Sequence, residues 1–263
     1  MCLLFIGWQT DAARPLIVAA NRDEFHGRSA LPAAPWDDAP QVVGGRDLQA
    51  GGTWLGIGAP DRFCALTNYR EPSRPRAGAP SRGALVSRVL RSPQPVFDVL
   101  AELRERIDGY AGFNLLAADR EGLWLLSNRA TPALQALPPG IHGLSNGTLD
   151  ADWPKVRHGK RRLANLLDTG EPPVEDLFAL LGDDAIAPDE ELPRTGLDLA
   201  WERLLSPAFI RHPQYGTRCS TVVLGDAAGT LRLVERRFDA AGQMSGQSDW
   251  TLTPNGRARR EAP

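Results

Sequence analysis

The chain has 263 residues, with 30 Lys+Arg against 32 Asp+Glu and a formal net charge of −2, a balance that excludes a generic polyanion binder such as a nucleic-acid-coating protein. Its 42% hydrophobic content excludes a disordered chain, and its 26 Gly and 22 Pro exclude a helical bundle, because they imply many turns joining short elements. One domain over residues 1–263 is expected, burying about three quarters of its unfolded surface. Nearly all the basic residues are Arg; the lysines are Lys155 and Lys160.

The first two segments, residues 2–8 and 15–20, are apolar, β-prone and separated by a turn-rich stretch, which predicts a hairpin. Pairing Trp8 with Pro15 sets Cys2 opposite Asn21, next to Arg22 and Asp23. In that register Asp23 shares a face with Cys2, and Arg22 needs a bulge to reach it. A Pro/Asp-rich loop is expected over 31–40, then strands within 51–58 and 62–69, all in one meandering sheet. Residues 70–82 form a Pro/Arg/Ser/Gly loop long enough to act as a lid. Helices follow at 83–91 and 96–107, the second with Val96, Val99, Leu100, Leu103 and Ile107 on one stripe. Strands resume at 113–118 and 122–127, and a short segment at 142–146 leads to a third helix with Asp152 as N-cap and Pro154 in its first turn, ending near Asp168. A fourth helix covers 174–181, and strands return at 219–224 and 230–238. This order of about four helices and eight or nine strands predicts an α+β, four-layer αββα sandwich.

Three cysteines, Cys2, Cys64 and Cys219, are too few and too odd in number for a disulfide framework, so a reducing, cytoplasmic setting is expected. The first eight residues lack a basic n-region, and their apolar run breaks at Gln9-Thr10-Asp11, so neither a signal peptide nor a transmembrane segment is expected. Cys64 and Cys219 fall in predicted strands. Cys2 differs, because a small residue at position two normally permits removal of Met1. A freed α-amine has an ordinary pKa of about 7.7 to 8.0 and the thiol one of about 8.5, so one residue then supplies both nucleophile and base. Arg22 is the natural partner for a thiolate and Asp23 for the amine. The same residues also suit a buried strand cysteine beside a structural ion pair.

Acyl transfer needs donors for a developing oxyanion, and Asn68 and Asn146 stand at strand-to-loop edges where their amides can serve; turn formation is the other role for either. Arg218, at the start of a strand, is a third polar candidate. The sequence GLSNG formally fits a nucleophile elbow at Ser145, but neither the strand before it nor the helix after it has the required spacing. His26, His142, His158 and His212 are scattered and no metal-ligand spacing occurs, so no metal is expected. Lys155, Arg157, Lys160, Arg161 and Arg162 crowd one helix, where a solvated face is expected and a phosphate or carboxylate contact is the alternative.

The blocks MCLLF, AANRDEF, GGTWLG, ALTNY, GFNLLAAD, HGLSN and YGTR resemble, in the same order, the NRDE family, the homologues of transport and Golgi organization protein 2. That resemblance implies a fold similar to the N-terminal-nucleophile hydrolases and, more distantly, to choloylglycine hydrolases and penicillin V acylases, which have a catalytic cysteine at position two. It implies Cys2 as nucleophile, Arg22 and Asp23 as its activating pair, Asn68 and Asn146 as oxyanion and amine-orienting groups, and Arg218 as a further support. The acylases place two residues between their Arg and Asp, whereas Arg22 and Asp23 are adjacent. Two functions follow as expectations. One is a cysteine amidohydrolase acting on a non-peptide C–N bond of a small acyl amide. The other, from the family's association with haem mobilisation and lipid homeostasis, is a non-catalytic carrier of haem or of a fatty-acyl or acyl-CoA ligand in the same pocket.

Overall fold

A computed structural model describes residues 2–72 and 78–261. The strands are β1 (Cys2–Trp8), β2 (Leu16–Phe25), β3 (Ala30–Trp36), β4 (Ala39–Asp47), β5 (Leu55–Gly58), β6 (Arg62–Asn68), β7 (Phe113–Asp119), β8 (Gly122–Ser127), β9 (Leu134–Ala136), β10 (Gly140–Leu144), β11 (Tyr215–Gly225), β12 (Leu231–Phe238), β13 (Met244–Leu252) and β14 (Ala258–Arg260). The helices are α1 (Gly83–Arg91), α2 (Val96–Arg104), α3 (Pro154–Leu167), α4 (Val174–Leu181) and α5 (Leu199–Leu204). They build two antiparallel seven-stranded sheets, one in the order β10-β1-β2-β11-β12-β13-β14 and the other running β3 to β9 in sequence.

The apolar periodicity fixes the layers. Along β1, Leu4, Ile6 and Trp8 point to the core between the sheets, where they meet Ile57, Phe63, Leu116 and Val223. Leu3 and Phe5 point the other way, into a second core with Val156 and Leu163 of α3 and Leu177 and Leu181 of α4. With both faces covered, β1 reads as an unbroken apolar run instead of alternating. Val86 and Leu90 of α1 and Val99 and Leu100 of α2 close the far side over Val42, Leu66 and Leu115. The result is the αββα sandwich expected from the order of elements.

Several details differ from the sequence reading. The expected single meander is two sheets, because the β1–β2 hairpin joins β11 while the meander proper is β3 to β9. Residues 31–40 are not a loop: β3 and β4 occupy most of them, and Pro32 and Pro35 are tolerated because β3 is an edge strand with two irregularities in its register. Trp153, not Asp152, is the N-cap residue of α3, with Pro154 at its first position. The strands β9, β13 and β14 and the helix α5 were not predicted; β9, β14 and α5 are three to six residues long, too short for periodicity to register. The centre of the 70–82 loop, residues 73–77, lies outside the described residues. No described helix is long and apolar enough to cross a membrane.

Candidate active site

The β1–β2 register decides what surrounds Cys2. Trp8 pairs with Leu16, one residue away from the predicted Trp8–Pro15 pair. Pro15 has no N–H to give a ladder, and the Gln9 N–H instead closes the turn on the Pro15 carbonyl at 2.7 Å. A one-residue slip exchanges the faces of a strand. Arg22, not Asn21, therefore stands directly opposite Cys2, and Cys219 of β11 stands opposite Arg22 on its other side. Alternation sends the Cys2 and Arg22 side chains between the sheets, since Leu4 and Ala20 lie there, and sends Asp23 to the α3 side with Leu3 and Ala19. Arg22 thus reaches the face of Cys2 without a bulge, and Asp23 does not share it. The bulge lies instead in β11, where Arg218 is the extra residue between Thr217 and Cys219.

Cys2 lies at the edge of a cleft of about 350 Å³, whose walls include Arg22, Asp23, Glu24, Asp47, Trp54 and Asn68. Arg22 lies over the Trp54 ring, 4.3 Å from its centroid, and 3.6 Å from Asp47. Asp47 also takes a 2.6 Å hydrogen bond from Arg28. Burial alone would raise the Asp47 carboxyl, but the Arg28 bond and the Ala50 and Gln49 N–H groups outweigh it and hold the carboxyl below its ordinary range. The far wall is made by residues 79–83, which lead into α1. Gly52 and Gly83 allow this approach: a Cβ on Gly52 would sit 2.5 Å from the Gly83 carbonyl carbon, and one on Gly83 would sit 2.9 Å from the Thr53 carbonyl oxygen.

Burial pushes the Cys2 thiol up, the Asp23 carboxylate adds to the rise, and Arg22 opposes it. The sulfur is therefore a protonated thiol until a base removes the proton. Asp23 accepts a 2.7 Å hydrogen bond from the Thr217 hydroxyl, and burial raises its carboxyl while Lys155 is the strongest opposing charge. Lys155 is 7% exposed and its Nζ donates to the Leu205 carbonyl at 2.8 Å. Burial lowers its pKa to about 8, with Asp23 pulling the other way. The expected solvated cationic face of α3 is accordingly divided. Lys155 turns inward beneath the site, while Arg157, Lys160 and Arg162 pair with Asp152, Asp150 and Asp183 near the surface.

The two asparagines take different places. Asn68 ends β6 on the cleft wall, and no hydrogen bond among the described residues uses its carboxamide; its backbone carbonyl accepts from the Asn146 Nδ2 at 2.8 Å. Extending the Leu4–Leu144 pairing of β1 and β10 by two residues brings Asn146 level with Cys2, on the side away from Arg22. Asn146 is 1% exposed and its own carbonyl accepts from the Arg70 N–H at 2.7 Å. It ties the end of β6 to the edge of the other sheet and does not line the cleft. Arg218 does not line it either. Its Nη1 donates to the carbonyls of Phe25, His26 and Arg28, clamping the end of β2 to the turn after it, which carries the cleft-lining Arg28. Cys64 and Cys219 are buried within strands. Sequence reasoning missed Lys155, hidden among surface cations, and Arg82, at the end of a loop with no periodicity.

The fold and site define a class: an αββα sandwich with a cysteine at the second position of the chain, at the mouth of a cleft between its sheets. The chain belongs to the Transport and Golgi organisation 2 family, whose model matches residues 1–240. It is 36% identical over 256 residues to the Transport and Golgi organization protein 2 homolog of Bos taurus, covering 90% of this chain and 92% of that protein. The Drosophila melanogaster Transport and Golgi organization protein 2 is 32% identical over 280 residues, covering 96% of each. Among solved structures, penicillin V acylase from Agrobacterium tumefaciens matches with a TM-score of 0.48 and 12% identity over 100% of this chain and 98% of that one. A mutant conjugated bile acid hydrolase from Clostridium perfringens matches with a TM-score of 0.49 and 10% identity over 100% and 97%.

Proposed function

We propose that this chain is a cysteine amidohydrolase that cleaves the C–N bond of a small, polar acyl amide after loss of Met1. The observation that carries this reading is the placement of Cys2, opposite Arg22 on one sheet face and on the wall of a cleft that also holds Asn68. The raised thiol is uncharged and needs a base. In this reading the freed α-amine of Cys2 accepts the thiol proton as sulfur attacks the carbonyl carbon. Asp23, on the opposite face, orients that amine and does not touch the sulfur. The carbonyl π electrons move to oxygen, where the Asn68 carboxamide donates a hydrogen bond and Arg22 contributes positive charge. The tetrahedral intermediate collapses, the C–N bond breaks, and the leaving nitrogen takes the proton held by the α-amine. Water, deprotonated by the same amine, then attacks the thioester; the acid leaves and the thiol is restored. Asn146 holds the Asn68 backbone in place, and Arg218 fixes the turn after β2.

The charged walls of the cleft support a small polar ligand over haem or a fatty-acyl or acyl-CoA chain, and none of its described lining residues is a histidine. The carrier reading is tested beside the enzyme reading. Purified protein is incubated with short-chain acyl p-nitroanilides, and separately titrated with micromolar haem. The enzyme reading expects nitroaniline release that falls about a hundredfold or more in Cys2→Ala. A saturable haem spectral shift without turnover would select the carrier.

A further inference from the structure

The charges around the cleft do not pair off. Asp47 is matched by Arg28 at 2.6 Å and Arg22 at 3.6 Å, Glu24 by Arg28 at 3.9 Å, and Asp23 is countered from beneath by Lys155. Arg82 is left. Its Nη1 donates to the Gly112 carbonyl at 2.9 Å, and no carboxylate among the described residues lies within ion-pairing distance of it. That hydrogen bond anchors the guanidinium in the wall formed by residues 79–83, which lines the same cleft as Cys2. Burial lowers its pKa, and a charge on Cys2 acts on it in the opposite sense. The arginine nonetheless stays protonated at any physiological pH.

Resting on the reading of Cys2 as the nucleophile, we infer that Arg82 is a specificity residue that binds a carboxylate on the substrate, so that the cleft takes acyl amides carrying a carboxylate near the scissile carbonyl. A guanidinium with no ion-paired carboxylate among the described residues, held half-buried by one carbonyl, offers its remaining N–H groups to a carboxylate in planar, bidentate geometry. A neutral amide of the same size would leave that charge uncompensated in the wall. Arg22 is less suited to this task, because Asp47 and the Trp54 ring already engage it.

Two alkylating reagents of nearly equal size separate the anion from the nucleophile. Iodoacetate and iodoacetamide both react by attack of the Cys2 sulfur on their methylene carbon, forming the S–C bond and releasing iodide, while the thiol proton passes to the buffer. Only iodoacetate brings a carboxylate. The rate ratio of iodoacetate to iodoacetamide at Cys2 is measured by peptide mass spectrometry, against the same ratio for N-acetylcysteine at the same pH. The inference expects the normalised ratio at Cys2 to exceed one by about tenfold, to fall to near one in Arg82→Gln, and to stay above one in Arg82→Lys. Unfolding would also bring the ratio to one, so the same spectra follow Cys64 and Cys219, which are buried and stay unmodified while Arg82→Gln is folded; if it unfolds, the ratio in Arg82→Lys decides. A normalised ratio at or below one overturns the carboxylate inference alone, and a raised ratio that survives Arg82→Gln overturns the assignment to Arg82. Failure of both reagents to modify Cys2 ahead of Cys64 and Cys219 overturns the nucleophile reading, and this inference with it.

Discussion

Lys155 is the residue whose environment departs furthest from what its neighbours in sequence suggest. It lies among five cations within eight residues, yet α3 begins with Pro154 and turns position 155 under the β1–β2 hairpin, where Asp23, Arg70, Glu202 and Cys2 are the charges it feels. Its pKa in the folded protein is about 8, below its ordinary 10.5. Below pH 8 the lysine is charged whether folded or unfolded, and the folded state bears the whole cost of burying that charge. As pH rises from 8 toward 10.5 the folded lysine is neutral while the unfolded one still binds a proton, so the cost fades. Relative to Lys155→Met, the wild type should gain stability across that window by something on the order of 3 kcal/mol. Urea unfolding of both proteins at pH 7.5 and pH 10 measures this; an unchanged difference between them would mean that the lysine is not depressed. Lys155 was illegible in the sequence for a physical reason: its burial depends on the contacts of α3 with a distant hairpin, and periodicity reports only that a face exists.

At the scale of elements, what the sequence made legible was what local chemistry decides. The helix α1 over residues 83–91 and the helix α4 over 174–181 match their predicted bounds, because an apolar stripe with flanking breakers is a local signal. The hairpin was legible too, but its register was not, and the difference turned on one missing N–H at Pro15. The packing of α1 on the β4–β5 loop was equally hidden, since it depends on Gly52 and Gly83, which are distant in sequence. That contact gives a prediction. Gly52→Ala places a methyl against the backbone of Gly83 at 2.5 Å, and backbone cannot swing aside. We expect a loss of about 1 to 3 kcal/mol as α1 and the cleft wall are displaced. Gly27→Ala is the control, because a Cβ there meets nothing within 4 Å, and it should cost less than about 0.5 kcal/mol. Equal urea midpoints for the two variants would show that the close approach is not a constraint.

For the whole molecule, the two sheets share one core, and the cleft is lined by the start of β1, the ends of β2 and β6, and the start of α1. Order and composition were enough to anticipate the αββα layering, because strands interrupted by helix pairs need helical layers over their sheets, and the apolar run of β1 needs cover on both faces. The candidate site was legible in part. Cys2, Arg22 and Asn68 line one cleft, and Asp23 lines it from the end of β2 with its side chain on the α3 side, while Asn146 and Arg218 lie outside its lining and donate to backbone carbonyls. Sequence spacing says which residues stand near a strand end; it does not say which of them have spent their donors on neighbouring carbonyls. The central claim remains that the α-amine and thiol of one residue act together. Its most direct test is the intact mass of the purified native protein before and after treatment with an electrophilic acyl probe such as a β-lactone. The account predicts a chain lacking Met1 that gains a single acyl group, on Cys2 and not on Cys64 or Cys219, with no gain in Cys2→Ala. A chain that retains Met1, or equal acylation of Cys2→Ala, would contradict it.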